Sequence, residues 1–241
     1  MHRVRGLIVP TLWIVSGALA AAAPQTSAPL QGNPSQLRSH ARELITLGES
    51  ETALAILLAL DENEPNQVDT LLLVGEAYYA LDRYADAISY FERGLALAPQ
   101  LRERAFNLGR SYELSGRYDE AERAFLPMAH SEDPATASKG HFGLGLVFEG
   151  RGDRVEALRL YRKALEFDET NHRARYKIAL EELRTGALEA AAEGFRAVLA
   201  RRPLHHGAAY NLSLALRRQG KIGEADAALE RWRKIKSGKE R

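Results

Sequence analysis

The sequence predicts an all-α solenoid of about six antiparallel helix pairs, and two observations carry that prediction. The first is a set of residues that returns at a fixed offset of about 34 positions. Leu71, Val74, Gly75, Tyr78, Ala87, Phe91 and Pro99 are followed by Ala105, Leu108, Gly109, Tyr112, Ala121, Phe125 and Pro134. Further copies read His141, Leu144, Gly145, Phe148, Ala157, Tyr161, then Arg175, Ile178, Ala179, Ala191, Phe195, Pro203, then Ala209, Leu212, Ser213, Leu216, Ala225, Leu229. A period of this length marks stacked helical units. The second observation is that no segment sustains a two-residue alternation, so no sheet is expected.

Along the chain, residues 1–6 hold Arg3 and Arg5, an apolar run covers 7–23, and that run ends in small alanines. This is the three-part pattern of a secretory signal peptide, with cleavage expected after Ala20 or Ala23. The mature protein is therefore expected in the periplasm or outside the cell. Residues 24–33, rich in Pro, Ser, Gln and Ala, read as a flexible N-terminal segment. The array then covers 34–236, in repeats of roughly 34–67, 68–101, 102–137, 138–171, 172–205 and 206–239, with a basic tail at 237–241. The third repeat is longer, and its extra length falls in the polar stretch 130–135.

Each unit reads as two helices. In the second, Leu71, Val74, Tyr78 and Leu81 make one apolar stripe over 69–81, and Asp82 and Arg83 form the turn. Ala87, Ile88, Phe91, Leu95 and Ala98 then line a second helix, which Pro99 ends because proline lacks the N–H to continue it. The small residues Gly75, Gly109 and Gly145 are expected to face Ala87, Ala121 and Ala157 where the two helices approach. Gly116, Gly152, Gly186 and Gly220 fall in the turns, and Phe91, Phe125, Tyr161 and Phe195 are expected to fill the space between units.

These residues resemble the tetratricopeptide repeat family, whose pattern is Leu-Gly, Tyr, Ala, Phe, Ala and Pro. The central copies are the most specific: Asn107, Leu108, Gly109, Arg110, Ser111, Tyr112, then Gly116, Arg117, Tyr118, Asp119, Glu120, Ala121. The first repeat is weaker, as a solvent-facing terminal copy would be. The resemblance implies a right-handed superhelix whose concave wall is made by the first helix of each unit. Repeat number and the longer turn at 131–135 are also similar to exported six-repeat proteins that help assemble type IV pili, although the lipidated cysteine of those proteins is missing.

On that concave wall, Phe106, Phe142, Tyr176 and Tyr210 occupy equivalent places in four consecutive units. Asn107 and Asn211 follow directly, with Lys177 at the same place in the fifth unit, and Arg110, Lys139, Arg173, Arg184, Arg217 and Arg218 share the wall. A ladder of rings flanked by cations and amides suits an extended or helical peptide carrying acidic groups. Packing between units would produce the same aromatic-then-Asn pattern. The clamp by which some family members hold a chaperone's C-terminal carboxylate is incomplete, because the second Asn position holds Arg42, Glu76, Arg110, Leu146, Leu180 and Leu214.

Composition narrows the function classes. Apolar residues at 45% fit a folded chain, and the absence of Cys removes disulfides, thiolate metal sites and thiol nucleophiles. Without Arg3 and Arg5, 31 basic side chains face 32 acidic ones, which argues against nucleic acid as a partner. His205 and His206 lack companions at ligand spacing, so no metal is expected. Gly143 and Gly145 lie within a helix and read as packing glycines. No catalytic constellation, cofactor site or small-molecule substrate site emerges. The C-terminal cations from Arg231 onward read as a solubilising end, with membrane contact at most peripheral. The expectation is a non-enzymatic scaffold of the bacterial envelope binding a protein segment; a pilus, secretion or outer-membrane assembly factor, or a chaperone-like carrier, is the alternative.

Overall fold

The structure is a computed structural model that describes residues 32–104 and 106–238. The expected leader at 1–23, most of the segment at 24–33 and the last residues of the basic tail lie outside the described residues. Those described residues contain twelve α-helices and no strand. In order they are α1 (Pro34–Leu47), α2 (Ser50–Asn63), α3 (Val68–Ala80), α4 (Tyr84–Leu97), α5 (Phe106–Leu114) and α6 (Tyr118–Ala129). There follow α7 (Pro134–Gly150), α8 (Arg154–Phe167), α9 (His172–Thr185), α10 (Leu188–Arg201), α11 (His206–Arg218) and α12 (Ile222–Lys236). Each odd helix packs on the even helix after it, and each even helix packs on the odd helix of the next pair. The result is an α-solenoid with a core that runs through the stack.

The turns inside the pairs demand a left-handed residue, and the sequence supplies it. Gly186 has φ +87°, a conformation nearly free for glycine. The second pair has no glycine there, and Asp82 takes φ +57°, a region Asp tolerates. Its carboxylate accepts a hydrogen bond from the Tyr84 hydroxyl at 2.6 Å. Helix starts are capped by short polar side chains: Asn33 for α1, Asp133 for α7, Asp153 for α8 and Asn171 for α9. Asn33 makes a full capping box with Gln36.

Three details differ from what the sequence leads one to expect. Gly75, Gly109 and Gly145 meet aromatic rings, not alanines: a Cβ on each would lie 2.7, 2.5 and 2.4 Å from Phe91, Phe125 and Tyr161. A helical side chain leans toward its own N-terminus, so the ring one turn beyond the alanine reaches the glycine. The third unit does not begin with an α-helix but with a 3₁₀ stretch, Pro99–Arg104, before α5. Finally, Pro127 sits inside α6 without ending it, although it removes one backbone donor two residues before the helix stops.

The aromatic residues knit consecutive pairs together. Phe125 is fully buried, and its ring also fills the space above Gly143 of the next pair. The Phe106 ring lies 5.4 Å from that of Phe125 and 6.4 Å from that of Phe142, and Phe142 lies 5.7 Å from Tyr161. In the last two pairs Phe195, Val198, Leu212 and Leu216 form the corresponding core, with Trp232 packed at its edge.

Candidate partner-binding groove

The first helices of pairs two to five place side chains around a common depression of about 540 Å³. From α5 come Arg110, Glu113 and Leu114; from α7, Phe142, Leu146 and Glu149; from α9, Arg173 and Lys177; Tyr79 of α3 closes one end. Spacings of three and four residues put these side chains on one face of their helices. Arg173 also sits over the Phe106 ring, 5.9 Å from its centroid. Phe106, Arg110, Phe142, Arg173 and Lys177, all expected on the wall, therefore converge here.

The remaining candidates lie elsewhere. Asn107 lines a second, smaller depression with Arg42, Asp69 and Glu76. Tyr176 and Asn211 belong together at the fifth junction, where the Asn211 amide donates to the Tyr176 hydroxyl at 3.0 Å. Tyr210 is 41% exposed and rests on Trp232, with ring centroids 5.4 Å apart. Arg217 pairs with Asp226 of α12, and Arg184 with Glu181. Arg218 donates to the Leu183 carbonyl at 2.6 Å, tying α11 to α9. Lys139 is exposed on α7. Phe142 is only 6% exposed, so in that unit the aromatic position serves the core more than the wall.

The electrostatics of the depression are more balanced than the cations alone suggest. Arg110 is paired with Glu113, and the Lys177 ammonium sits 2.8 Å from a Glu149 carboxylate oxygen. The same Glu149 oxygen accepts from the Tyr161 hydroxyl. Burial raises the Glu113 carboxyl, opposed by the Arg110 and Lys177 charges. Burial, then the bond to Glu149, pushes the Tyr161 hydroxyl well up, which keeps it a donor. Among the described residues three cations thus face two carboxylates, and the one without a carboxylate partner there is Arg173. Glu113 lies one helical turn from Arg110 and was legible as a pair; Glu149 meets Lys177 only through the fold.

The histidine pair is structural. The His205 Nδ1 accepts from the Ala208 amide at 3.0 Å, capping α11, and its ring packs on Tyr176. Among the described residues no group of His, Asp and Glu could hold a metal ion, and no helix is long and apolar enough to cross a membrane.

The tetratricopeptide repeat pattern matches this chain over residues 106–172 and 176–240, more than half of its length, and a second version of the same pattern matches 68–101. The chain belongs to the tetratricopeptide repeat family. Tetratricopeptide repeat protein 8 of Caenorhabditis elegans is 23% identical over 66% of the chain, and DnaJ homolog subfamily C member 7 of Homo sapiens is 25% identical over 47%. The chain spans 31% and 23% of the lengths of those relatives. Among solved structures, the APC/C hetero-tetramer Cut9-Hcn1 aligns with TM-score 0.66 at 18% identity, covering 85% of this chain and 40% of that one. MamA from Desulfovibrio magneticus RS-1 aligns with TM-score 0.55 at 20% identity, covering 71% and 96%. Both likenesses show a shared solenoid fold, one typical of protein–protein interaction scaffolds. Proteins of this tetratricopeptide class bind other proteins or peptides.

Proposed function

We propose that this tetratricopeptide repeat protein is a non-catalytic scaffold of the bacterial cell envelope that grips a segment of another polypeptide along its concave wall. The single observation that carries the reading is the depression shared by α5, α7 and α9. There Arg173 stands over Phe106 with no carboxylate among the described residues to neutralise it, while Arg110 and Lys177 are held in place by Glu113 and Glu149. Such a site suits a segment that offers one carboxylate to Arg173 and an apolar side chain to Phe106 and Leu114. The basic, apolar and small-residue order of residues 1–23 supports export as the route to the envelope.

A photo-reactive amino acid placed in whole cells tests the proposal. Leu114 is exposed within the depression, whereas Glu193 is exposed on α10, a second helix of its pair. Irradiation should attach one discrete polypeptide at position 114, not at 193, and Arg173→Glu should abolish that adduct. Identical adducts from both positions, or an adduct indifferent to Arg173→Glu, would refute the groove as the binding surface.

A further inference from the structure

The array carries a charge pattern that the groove does not use. Residues 34–101, the first two pairs, hold four Arg and no Lys against eleven Asp and Glu, a net −7 with His neutral. Residues 172–238, the last two pairs, hold fourteen Lys and Arg against seven Asp and Glu, a net +7. The pairs between them nearly cancel, with eleven cations against thirteen carboxylates over 102–171. A single run of like charge is usually a solvated face. Here the sign reverses along the axis and the two ends match in size, so the stack is an electrical dipole with complementary ends.

The end faces themselves differ from their interior counterparts. Within the stack, α3 buries Thr70, Leu73 and Ala77; one repeat earlier the same places on α1 hold Gln36, Ser39 and Glu43, all exposed. At the other end, α10 buries Phe195, Val198 and Leu199 and receives α11 beside them. One repeat later those places on α12 hold Leu229 and Trp232, both half-buried, and Arg233, exposed. Among the described residues no helix covers that side of α12. Lys234 and Lys236 add two exposed cations to the same helix, while Glu49, Glu51 and Glu62 add exposed carboxylates to the first pair.

We infer that a second copy of this chain is the occupant of these faces: the basic outer face of the last pair on one copy seats against the acidic outer face of the first pair on the next. Such a contact joins two different patches, so it extends head to tail and does not close on itself. Gln36 and Ser39 in place of the apolar residues make the contact polar, hence weak and salt-sensitive. An anionic membrane would satisfy the basic end but leave the acidic end without a counterpart. The inference is independent of the groove, and none of the residues altered below lines it.

Sedimentation velocity on protein purified from cells expressing the whole chain tests the inference. In about 50 mM salt, the mean mass should rise with concentration, and at about 500 mM salt association should weaken at least about tenfold. A tail variant, Arg233→Glu with Lys234→Glu and Lys236→Glu, should be monomeric. A head variant, Glu43→Lys with Glu49→Lys and Glu62→Lys, should be monomeric too. Mixed one to one they should form a two-molecule complex that grows no further, because each variant retains one native end. That mixing result also shows that both variants are folded. A wild type that stays monomeric in low salt would overturn the inference, whether or not it binds anionic vesicles through α12. So would a tail variant that associates as the wild type does, or two monomeric variants that ignore each other.

Discussion

Gly140 leaves no room for a Cβ: one built there would lie 2.2 Å from the Ala129 amide nitrogen. The close approach joins the end of α6 to α7, at the junction between the third and fourth pairs. An aromatic ring can shift by a few tenths of an ångström, but here the obstruction is backbone. Gly140→Ala must therefore force the two helices apart, and the expected cost is about 3 kcal/mol, at the upper end for overpacking and despite the better helix propensity of alanine. Gly223 is the control: it lies in α12 with nothing within 4 Å of a Cβ, so Gly223→Ala should be neutral or stabilise by up to about 1 kcal/mol. The urea unfolding midpoint should fall for Gly140→Ala and hold or rise for Gly223→Ala.

That contrast shows where the sequence speaks and where it falls silent. Helix pairs, their order and the turn glycines were legible because a 34-residue period and a positive φ constrain residue type directly. The partners of the small residues were not, since spacing says which face a glycine shares but not which ring leans over it. In the candidate groove, the repeat put Arg110, Phe142, Arg173 and Lys177 on first helices that share one depression, but it did not separate them from Asn107, Tyr176, Tyr210 and Asn211, which lie elsewhere. The neutralisation of Lys177 by Glu149 did not follow from it, because those residues lie on different helices, 28 positions apart. Nor did the 3₁₀ start of the third unit, where Pro99 and the residues after it match the repeat yet fail to form a full α-turn.

One side-chain amide bridges the fourth and fifth pairs. The Asn171 side chain accepts from the Ala174 amide at 3.1 Å, capping α9, and donates to the Ser138 hydroxyl at 2.8 Å. Ser138, buried, in turn donates from its hydroxyl to the Ala164 carbonyl at 2.7 Å. Asn171→Ala removes cap and donor together and should cost about 2 kcal/mol. Asn171→Asp keeps the cap and adds a favourable charge at the helix start, but it loses the donor, so its cost should be smaller, about 1 kcal/mol. An Asn171→Asp midpoint equal to that of the wild type would show that the link to Ser138 contributes nothing, and equal midpoints for the two variants would show the same of the cap.

Thr70 presents the reverse case. Its side chain is 1% exposed on α3, and its hydroxyl has no hydrogen-bond partner among the described residues. A buried hydroxyl without a partner costs stability, and valine has nearly the same shape. Thr70→Val is expected to stabilise the array by about 1 kcal/mol, read as a higher midpoint in urea with an unchanged slope.

His141 should set the acid limit of the fold. It is buried on α7, stacked on the Phe167 ring at 5.2 Å, and its Nδ1 has no hydrogen-bond partner among the described residues. Burial first, then the charges of Lys163, His130 and Arg159, lower its pKa from 6.5 to about 4. A depressed histidine pKa means that the fold holds the neutral ring while the unfolded chain binds a proton. Its contribution is therefore complete above pH 6.5 and is lost as pH falls from 6.5 toward 4. At about 1.4 kcal/mol per pH unit, the loss across that window is on the order of 2–3 kcal/mol. Leu71 fills the corresponding place in the second unit, and His141→Leu should remove most of the slope of stability against pH between 6.5 and 4. If the variant and the wild type lose stability in parallel over that window, the acid sensitivity belongs to other groups, with the carboxylates of the many surface ion pairs the next to test.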